Sequence, residues 1–445
     1  MTEQDYTGKK VAFYTLGCKL NYAESSSMAR KFEDIGFEQV DYKEQADVYV
    51  INTCTVTAES DKKSRNLIRS AMKRNPNAVM MVTGCYAQLK SDDIAHLEGV
   101  DYVLGSGEKM NITSYVNHLQ KNQEPIIRIT DHRKINQFFN SYSFGDRTRT
   151  FLKVQDGCNY FCTFCTIPLA RGLSRNDTIA NTIAEARKIV ERGIKEIILT
   201  GVNIGDFGRS TGESFFDLVK ALDEVEGLER IRISSVEPNL LKDEIIELVA
   251  NSKRFVPHFH IPLQAGSDTV LSLMKRKYNT ELFAERVHQI KMLMPDAFIG
   301  VDVIAGTNGE TDQFFKDSYQ FLLDQDISQL HVFPYSEREG TFALKIPHVV
   351  PVPERKERVQ RYIDLSERKH RLFYESQLGK TRTVLFEHQK KGNRMFGWTD
   401  NYVRVETQWD ENLVNRLVDF HLETINANGH VEGQRVMRII EPEIT

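Results

Sequence analysis

TFLKVQDGCNYFCTFCTIPLARG, residues 150–172, runs a β-type segment straight into three cysteines, Cys158, Cys162 and Cys165, spaced C-x3-C-x2-C. Thiolates at this spacing bring three sulfurs to one side of a short loop. Three can hold a cubane 4Fe-4S cluster but leave one iron without a protein ligand, whereas an electron-transfer cluster takes four cysteines. An open iron is a place for chemistry. The bland alternative is a zinc knuckle. Structural zinc takes four ligands, and no further Cys or His stands close by in sequence to complete that set. A ligand loop directly after a strand lies at its carboxyl end, where (β/α) barrels place catalytic groups.

Downstream, β-type runs recur as KEIILTG, RIRISSVE, HFHIPLQ, AFIGVDVIAG and QLHVFPYS, separated by helical stretches such as NTIAEARKIVERG and ELFAERVHQIKMLM. Six such units predict a partial (β/α)6 barrel over residues 140–375. Upstream, residues 1–135 alternate the runs KVAFYTLG, DVYVINT and AVMMVTG with amphipathic stretches, which predicts a parallel α/β sandwich. Cys18, Cys54 and Cys85 each follow one of these runs and precede a helix-like stretch. In a parallel sheet that position is the carboxyl edge, where ligands collect. Taken singly, each reads as a buried small hydrophobe; three at equivalent strand ends are expected to converge. None of the six cysteines is left over.

The polar stretch DHRKINQFFNSYSFGDRTRT, residues 131–150, reads as a linker. PVPERKERVQRYIDLSERKHRLFYESQLGK reads as a long charged helix. Residues 376–445 then change to short β runs, with turn signals at KKGN and NANG, and predict a small β-barrel. The fold class is thus α/β with three domains, as a chain of 445 residues leads one to expect.

The opening MTEQDYTGKKVAFYTLG lacks a charged n-region followed by an apolar h-region, and no later run approaches the roughly 20 apolar residues of a membrane span. A cytoplasmic protein with no membrane partner is expected. Six cysteines in a large cytosolic chain favour metal or redox chemistry over disulfides. The net charge of −4 neither demands nor forbids a nucleic-acid partner, so RNA binding would rest on local basic patches.

The cysteine loop resembles the signature of the radical S-adenosylmethionine superfamily. That resemblance implies a 4Fe-4S cluster on Cys158, Cys162 and Cys165, with S-adenosylmethionine chelated to the open iron and cleaved to a 5′-deoxyadenosyl radical. With GCKLNYAES (17–25), NTCTVT (52–57) and TGCYAQ (83–88) added, nearly the whole chain is similar to the methylthiotransferases. In that family Cys18, Cys54 and Cys85 carry a second, auxiliary 4Fe-4S cluster, and S-adenosylmethionine serves as both methyl donor and radical source. The motifs GVNIGDFG, SSVEP and HIPLQAGSD imply a cofactor pocket with Phe164, Gly201, Asn203, Glu237 and Gln264. Gly201 and Gly205 are expected to allow close backbone approach to the ligand. DVIAGTNGET departs from the family's GFPGET at Thr307 and Asn308, while Gly306, Gly309, Glu310 and the later FPYSEREGT match.

Three branches share this apparatus. Two act on adenosine 37 of tRNA, bearing a threonylcarbamoyl or an isopentenyl group, and the third on an aspartate of a ribosomal protein. GCKLN, with Lys19 and Leu20 after Cys18, most resembles the threonylcarbamoyladenosine branch; the isopentenyl branch more often reads GCQMN and the ribosomal one GC-x-KN. The resemblance implies the tRNA anticodon loop and an electron-donor protein as partners and leaves the sulfur donor open. The C-terminal segment looks like a TRAM domain, in which Lys380, Arg382, Lys390, Lys391 and Arg394 would meet phosphates and Phe396 and Trp398 would stack on bases. A solvated loop and barrel-core aromatics are the plain alternative there. An iron-sulfur RNA-binding protein without turnover is the alternative from another class.

Overall fold

VYVINT (48–53) and VMMVTG (79–84) are apolar at successive positions rather than alternate ones, which suits strands covered on both faces; all six residues of each are buried. The structure, a computed structural model, describes residues 6–55, 57–116, 119–143 and 148–436. The expected domain ends at 1–5 and 437–445 and Phe144–Arg147 of the expected linker lie outside the described residues.

Strands β1 (Lys10–Thr15), β2 (Glu38–Val40), β3 (Val48–Thr53), β4 (Val79–Gly84), β5 (Tyr102–Leu104) and β6 (Ile126–Arg128) form one parallel sheet in the order β2-β1-β3-β4-β5-β6. Successive residues feed opposite cores. Tyr49, Ile51, Met80 and Val82 join one apolar cluster, and Val48, Val50, Val79 and Met81 join the other. This is the α/β sandwich that the sequence predicts. Strands β2, β5 and β6, of three residues each, carry too short a pattern to be singled out in advance.

The second region opens with β7 (Ser141–Tyr142), antiparallel to β8 (Arg149–Lys153). Parallel to β8 run β9 (Glu196–Thr200) and β10 (Arg230–Ile233), and a second parallel set comprises β11 (His258–His260), β12 (Phe298–Ala305) and β13 (Gln329–Pro334). Bridges Ile231↔Phe255 and Ser235↔His260 join the two sets into a six-stranded partial barrel, open between β8 and β13. Leu152, Ile197, Leu199, Ile231 and Val303 point outward into the apolar layer shared with the surrounding helices. Those helices start at side-chain caps: Thr178, Ser214, Asn279 and Thr311 each accept a first-turn N–H.

Phe151 and Ile198, alternating with the outward residues, face the lumen. Against them packs Ala23 of the helix Lys19–Asp34, which belongs to the N-terminal sheet. Arg30 of the same helix lies 4.1 Å over the Tyr142 ring and donates to its carbonyl at 3.0 Å. The N-terminal domain therefore lends a helix to the barrel where the strands fail to close it.

The charged helix spans Val352–Gln377 and leads into a closed barrel of β14 (Thr381–Phe386), β15 (Arg394–Thr399), β16 (Arg404–Gln408), β17 (Leu417–Ile425) and β18 (Val431–Arg435). Val384, Phe386, Met395, Phe420 and Leu422 fill it. The predicted KKGN and NANG turns fall between β14 and β15 and between β17 and β18. Gly392 and Gly429 there adopt positive φ of 61° and 78°. Among the described residues no helix is long and apolar enough to cross a membrane.

Candidate active site

Cys18, Cys54 and Cys85 follow β1, β3 and β4, which are neighbours in the sheet, so the three chains leave the sheet about 4.8 Å apart. Two glycines draw the loops together. A Cβ on Gly17 (φ +96°) would lie 2.8 Å from Cys54 Cβ and 2.9 Å from its Sγ, and one on Gly84 (φ +103°) would lie 2.3 Å from the Thr53 carbonyl. Only glycine permits either the conformation or the approach. The loops of Cys18 and Cys85 thereby close onto that of Cys54, and Asn21 locks them by donating to the carbonyls of Leu16 and Thr53 at 2.7 and 3.2 Å.

Cys158, Cys162 and Cys165 lie in the loop after β8. Backbone N–H groups of Tyr160 and Ile167 donate to the Sγ atoms of Cys158 and Cys165, each at 3.4 Å. Arg276 donates to Cys162 Sγ at 3.0 Å, to Tyr278 Oη at 2.9 Å, and to Glu237. Burial pushes the Cys158 and Cys165 thiols up to about 12, and raises Cys162 against the pull of Arg276. Thiolates here need a cation within the loop, the condition a metal cluster meets.

Around this loop stand polar groups without protein partners. Asn203 is buried, with neither its amide nitrogen nor its oxygen hydrogen-bonded, and Asp206 Oδ2 and Asn239 Oδ1 are likewise unmatched. Buried amides are nearly always satisfied, so these fit a bound polar ligand such as an amino acid-nucleoside. Glu237 is largely buried, and burial raises its carboxyl pKa in spite of the Arg276 ion pair. The glycines of GVNIGDFG answer to a different need from the expected one. A Cβ at Gly201 would meet Gln155 and Ile204, and one at Gly205 would meet Leu240 and Val236. Protein atoms, not an open ligand face, occupy that space.

A cavity of about 240 Å³ lies beside Cys165, between the barrel and the loop that follows Cys54. Phe164, Cys165, Gln264, Asp302 and Ile304 line it from the barrel, and Thr57, three residues past Cys54, lines it from the sheet domain. Gln264 holds a φ of +73°, a strained value for a side-chain-bearing residue. The FPYSEREGT loop ties the two walls: Arg338 pairs with Asp61 at 2.8 Å, and Ser336 Oγ accepts from Ala58 N at 3.3 Å. In the divergent AGTNGET turn, Glu310 accepts from Gly306 N at 2.7 Å and pairs with Arg358 at 2.8 Å, so the matching residues do the pinning.

Arg171, six residues past Cys165, is fully buried between the two sites. It donates to Glu24 and Asp156 at 2.9 Å each and to Asn21 at 2.5 Å. Lys109 and Lys153 complete the shell of Glu24 at 2.5 and 3.1 Å, while Lys153 and Arg175 reach Asp156 at 2.8 and 2.9 Å. Burial alone would raise both carboxyls. The surrounding cations, led by Arg171 at Glu24 and Arg175 at Asp156, hold both well below the usual carboxylate range. Four cations around two carboxylates leave positive charge facing the cysteines. Arg171→Met is expected to cost about 3–5 kcal/mol, because two buried carboxylates lose a partner; equilibrium denaturation of the variant checks this. The network's contribution is complete above the ordinary carboxylate pKa and is lost only as pH falls below about 4. Neither Arg171 nor Arg276 carries a sequence signal beyond its neighbourhood.

The five basic residues expected to contact RNA do not form one free patch. Lys380 and Arg382 pair with Asp296 of the (β/α) barrel at 2.6 and 3.4 Å, and Arg382 also with Asp400 at 3.0 Å. Arg394 is held by Glu406 and Glu432. Asp296 lies far upstream in sequence, and Asp400, Glu406 and Glu432 meet these cations only because the strands of the terminal barrel pair. Lys390 and Lys391 are exposed, Lys390 lying 5.3 Å over the Trp409 ring. Trp398 is stacked on Tyr402 at 4.3 Å and flanked by Arg149 and Arg404, and Phe396 carries Arg404, so both aromatics are engaged within the protein.

Residues 10–105 match the family described as Uncharacterized protein family UPF0004, and residues 152–322 match the Radical SAM superfamily. The chain is 40% identical to the Threonylcarbamoyladenosine tRNA methylthiotransferase MtaB of Bacillus subtilis, covering 98% of each protein. It is 30% identical to a tRNA-2-methylthio-N(6)-dimethylallyladenosine synthase of Clostridium botulinum, over 93% of this chain and 94% of that one. The fold is similar to that of the radical S-adenosylmethionine methyltransferase TsrM from Kitasatospora setae, solved with cobalamin and a [4Fe-4S] cluster. The TM-score is 0.53 at 14% identity, over 73% of this chain and 75% of that one.

Proposed function

Because the chain belongs to the radical S-adenosylmethionine methylthiotransferases, in the threonylcarbamoyladenosine branch, we propose that it attaches a methylthio group to carbon 2 of N6-threonylcarbamoyladenosine at tRNA position 37. The observation that carries this reading is the single cavity walled by Cys165 on one side and Thr57 of the Cys54 loop on the other. A base placed there would touch Cys165 directly and stand three residues along the chain from Cys54.

Cys158, Cys162 and Cys165 would hold the 4Fe-4S cluster that the radical S-adenosylmethionine superfamily shares, and Cys18, Cys54 and Cys85 a second one. When bound, the clusters and S-adenosylmethionine supply the sulfur-carrying iron, the methyl group and the one-electron cleavage that activates a C–H bond. The chain's own part is placement. Asn203 and Glu237 offer hydrogen-bond partners to the cofactor's polar groups, Phe164 and Gln264 shape the mouth beside Cys165, and Arg276 steadies both Cys162 and Glu237. Arg171 and its network hold the sheet domain against the barrel and keep water from between them. The N-terminal cysteines favour an auxiliary cluster over the cobalamin of the structural neighbour, since three converging thiolates are iron ligands.

The deciding experiment is mass spectrometry of nucleosides from tRNA that carries both modified adenosines, incubated with anaerobically reconstituted protein, S-adenosylmethionine and a reductant. The 2-methylthio form of threonylcarbamoyladenosine is the expected product. Product on isopentenyladenosine alone would move the chain to the other tRNA branch, and no methylthio nucleoside with both clusters intact would point to a ribosomal-protein substrate.

The C-terminal barrel is proposed to grip the tRNA backbone through Lys390 and Lys391. Changing both to glutamate is expected to weaken tRNA binding about tenfold at moderate salt and to flatten its salt dependence by about two counterions. Filter binding over a salt series checks this. Lys380→Ala, which loosens the contact with Asp296, should leave the salt slope alone.

A further inference from the structure

The catalytic reading leaves unused a set of charges inside the barrel. Alternation along the strands turns Arg149 of β8, Glu196 of β9, Arg230 and Arg232 of β10, His260 of β11, Asp302 of β12 and His331 of β13 inward. Glu196 lies 3.9, 3.8 and 3.2 Å from Arg149, Arg230 and Arg232. Asp302 Oδ1 is 2.7 Å from His260 Nε2, and the ring of His331 packs on that of His260 at 5.1 Å. Into this space the helix Lys19–Asp34 brings its first residue, which stands one turn before Ala23 on the face that packs against Phe151 and Ile198. Lys19 lies within electrostatic reach of Arg149, Arg232, Asp302, His331 and the Tyr402 hydroxyl. No carboxylate lies within 4.0 Å of its ammonium among the described residues. At the lower end, Arg149 and Arg404 share Glu387 at 3.6 and 2.8 Å. Five basic residues, Lys19, Arg149, Arg230, Arg232 and Arg404, thus face the three carboxylates Glu196, Asp302 and Glu387, and burial pulls the Lys19 ammonium pKa down.

The trio His260, Asp302 and His331 has the ligand types of a divalent-cation site. Lys19 beside it opposes a cation and favours an anion. Asp302 also lines the cavity that Cys165 opens into, so the electropositive lumen continues from the mouth where chemistry takes place. Carbon 2 and the N6 substituent sit on different edges of a purine, and a base that presents carbon 2 at the mouth can send its N6 arm down the lumen.

We infer that Lys19, backed by Arg149 and Arg232, is the specificity-determining cation that receives the carboxylate of the threonylcarbamoyl arm. This deepens the substrate assignment above and rests on it. An isopentenyl arm has nothing to offer such a site and would leave its charges desolvated, so the same residues that admit one arm refuse the other.

The test uses full-length protein with both clusters reconstituted and three anticodon stem-loops. One carries threonylcarbamoyladenosine, one its carboxamide in place of the carboxylate, and one isopentenyladenosine. For the unmodified enzyme, kcat/KM should fall on the order of tenfold to a hundredfold from carboxylate to carboxamide, mainly through KM. Lys19→Met, assayed after iron content shows both clusters retained, should lose about as much on the carboxylate loop and no longer tell it from the carboxamide. Lys19→Arg should restore the discrimination. Equal turnover of carboxylate and carboxamide by the unmodified enzyme overturns the inference, and that comparison needs no variant to fold. Undiminished discrimination by Lys19→Met overturns the assignment to Lys19. Turnover of the isopentenyl loop alone by the unmodified enzyme overturns the substrate assignment itself.

Discussion

Cys158→Ala is expected to bring S-adenosylmethionine cleavage down to the protein-free background, read as 5′-deoxyadenosine formed under reducing conditions. Cys158 is one of only three thiols in its loop, and the side chains around it offer no replacement. Glu237 is bound by Arg276, and Asn239 donates to Tyr160 at 2.7 Å. A cubane cluster held by two cysteines is lost, and with it the iron that would hold the cofactor. Iron content should fall from about eight to about four atoms per chain. The variant should remain folded, because a small buried side chain shortened by one sulfur costs only about 1–2 kcal/mol. Cleavage at the unmodified rate would remove this loop from the chemistry.

Cys54→Ala should give the opposite division: S-adenosylmethionine is still cleaved, while methylthiolated nucleoside drops below detection. Cys54 follows a strand of the N-terminal sheet, whereas the cleaving loop follows a strand of the barrel, and Thr57 just past Cys54 shares a cavity with Cys165. Gly84→Ala is expected to act in the same direction without touching a ligand, since a Cβ there collides with the Thr53 carbonyl and a positive φ of 103° suits no side chain. Parallel measurement of 5′-deoxyadenosine and methylthio nucleoside separates the two activities. If Cys54→Ala still forms the methylthio product, the N-terminal cysteines are not an auxiliary site.

Much of this was legible in the sequence because it is local. The strands at 48–53 and 79–84, the cysteine loop after residue 153 and the turns at Gly392 and Gly429 each announce themselves within a short window. Cys18, Cys54 and Cys85 were expected to converge from their equivalent strand ends, and the strand order puts those ends side by side. What escaped was long-range. Lys380 and Arg382 look like phosphate ligands until Asp296, more than eighty residues upstream, comes into view. Arg276 becomes part of the cysteine site only because its loop returns 114 residues later to Cys162. Gly205 looks like a ligand-approach glycine until Leu240 is seen to press on it. The net charge of −4 left a nucleic-acid partner open, and the charges that line the (β/α) barrel come together only in the fold.

The helix Lys19–Asp34 serves four unrelated ends in its first turns: it starts directly after Cys18, sets Lys19 one turn before Ala23, packs Ala23 as a stave against Phe151 and Ile198, and anchors Arg171 through Glu24. For anyone recombining these enzymes, that makes the apparent domain border at the linker a poor crossover point. A chimera that joins the sheet domain of one relative to the barrel of another would inherit mismatched staves and an orphaned buried ion network, even with every cysteine retained. The heritable unit is the sheet domain and barrel together, and the terminal β-barrel travels with them too, since Glu387 pairs with Arg149 and Tyr402 packs on Phe298 of the (β/α) barrel.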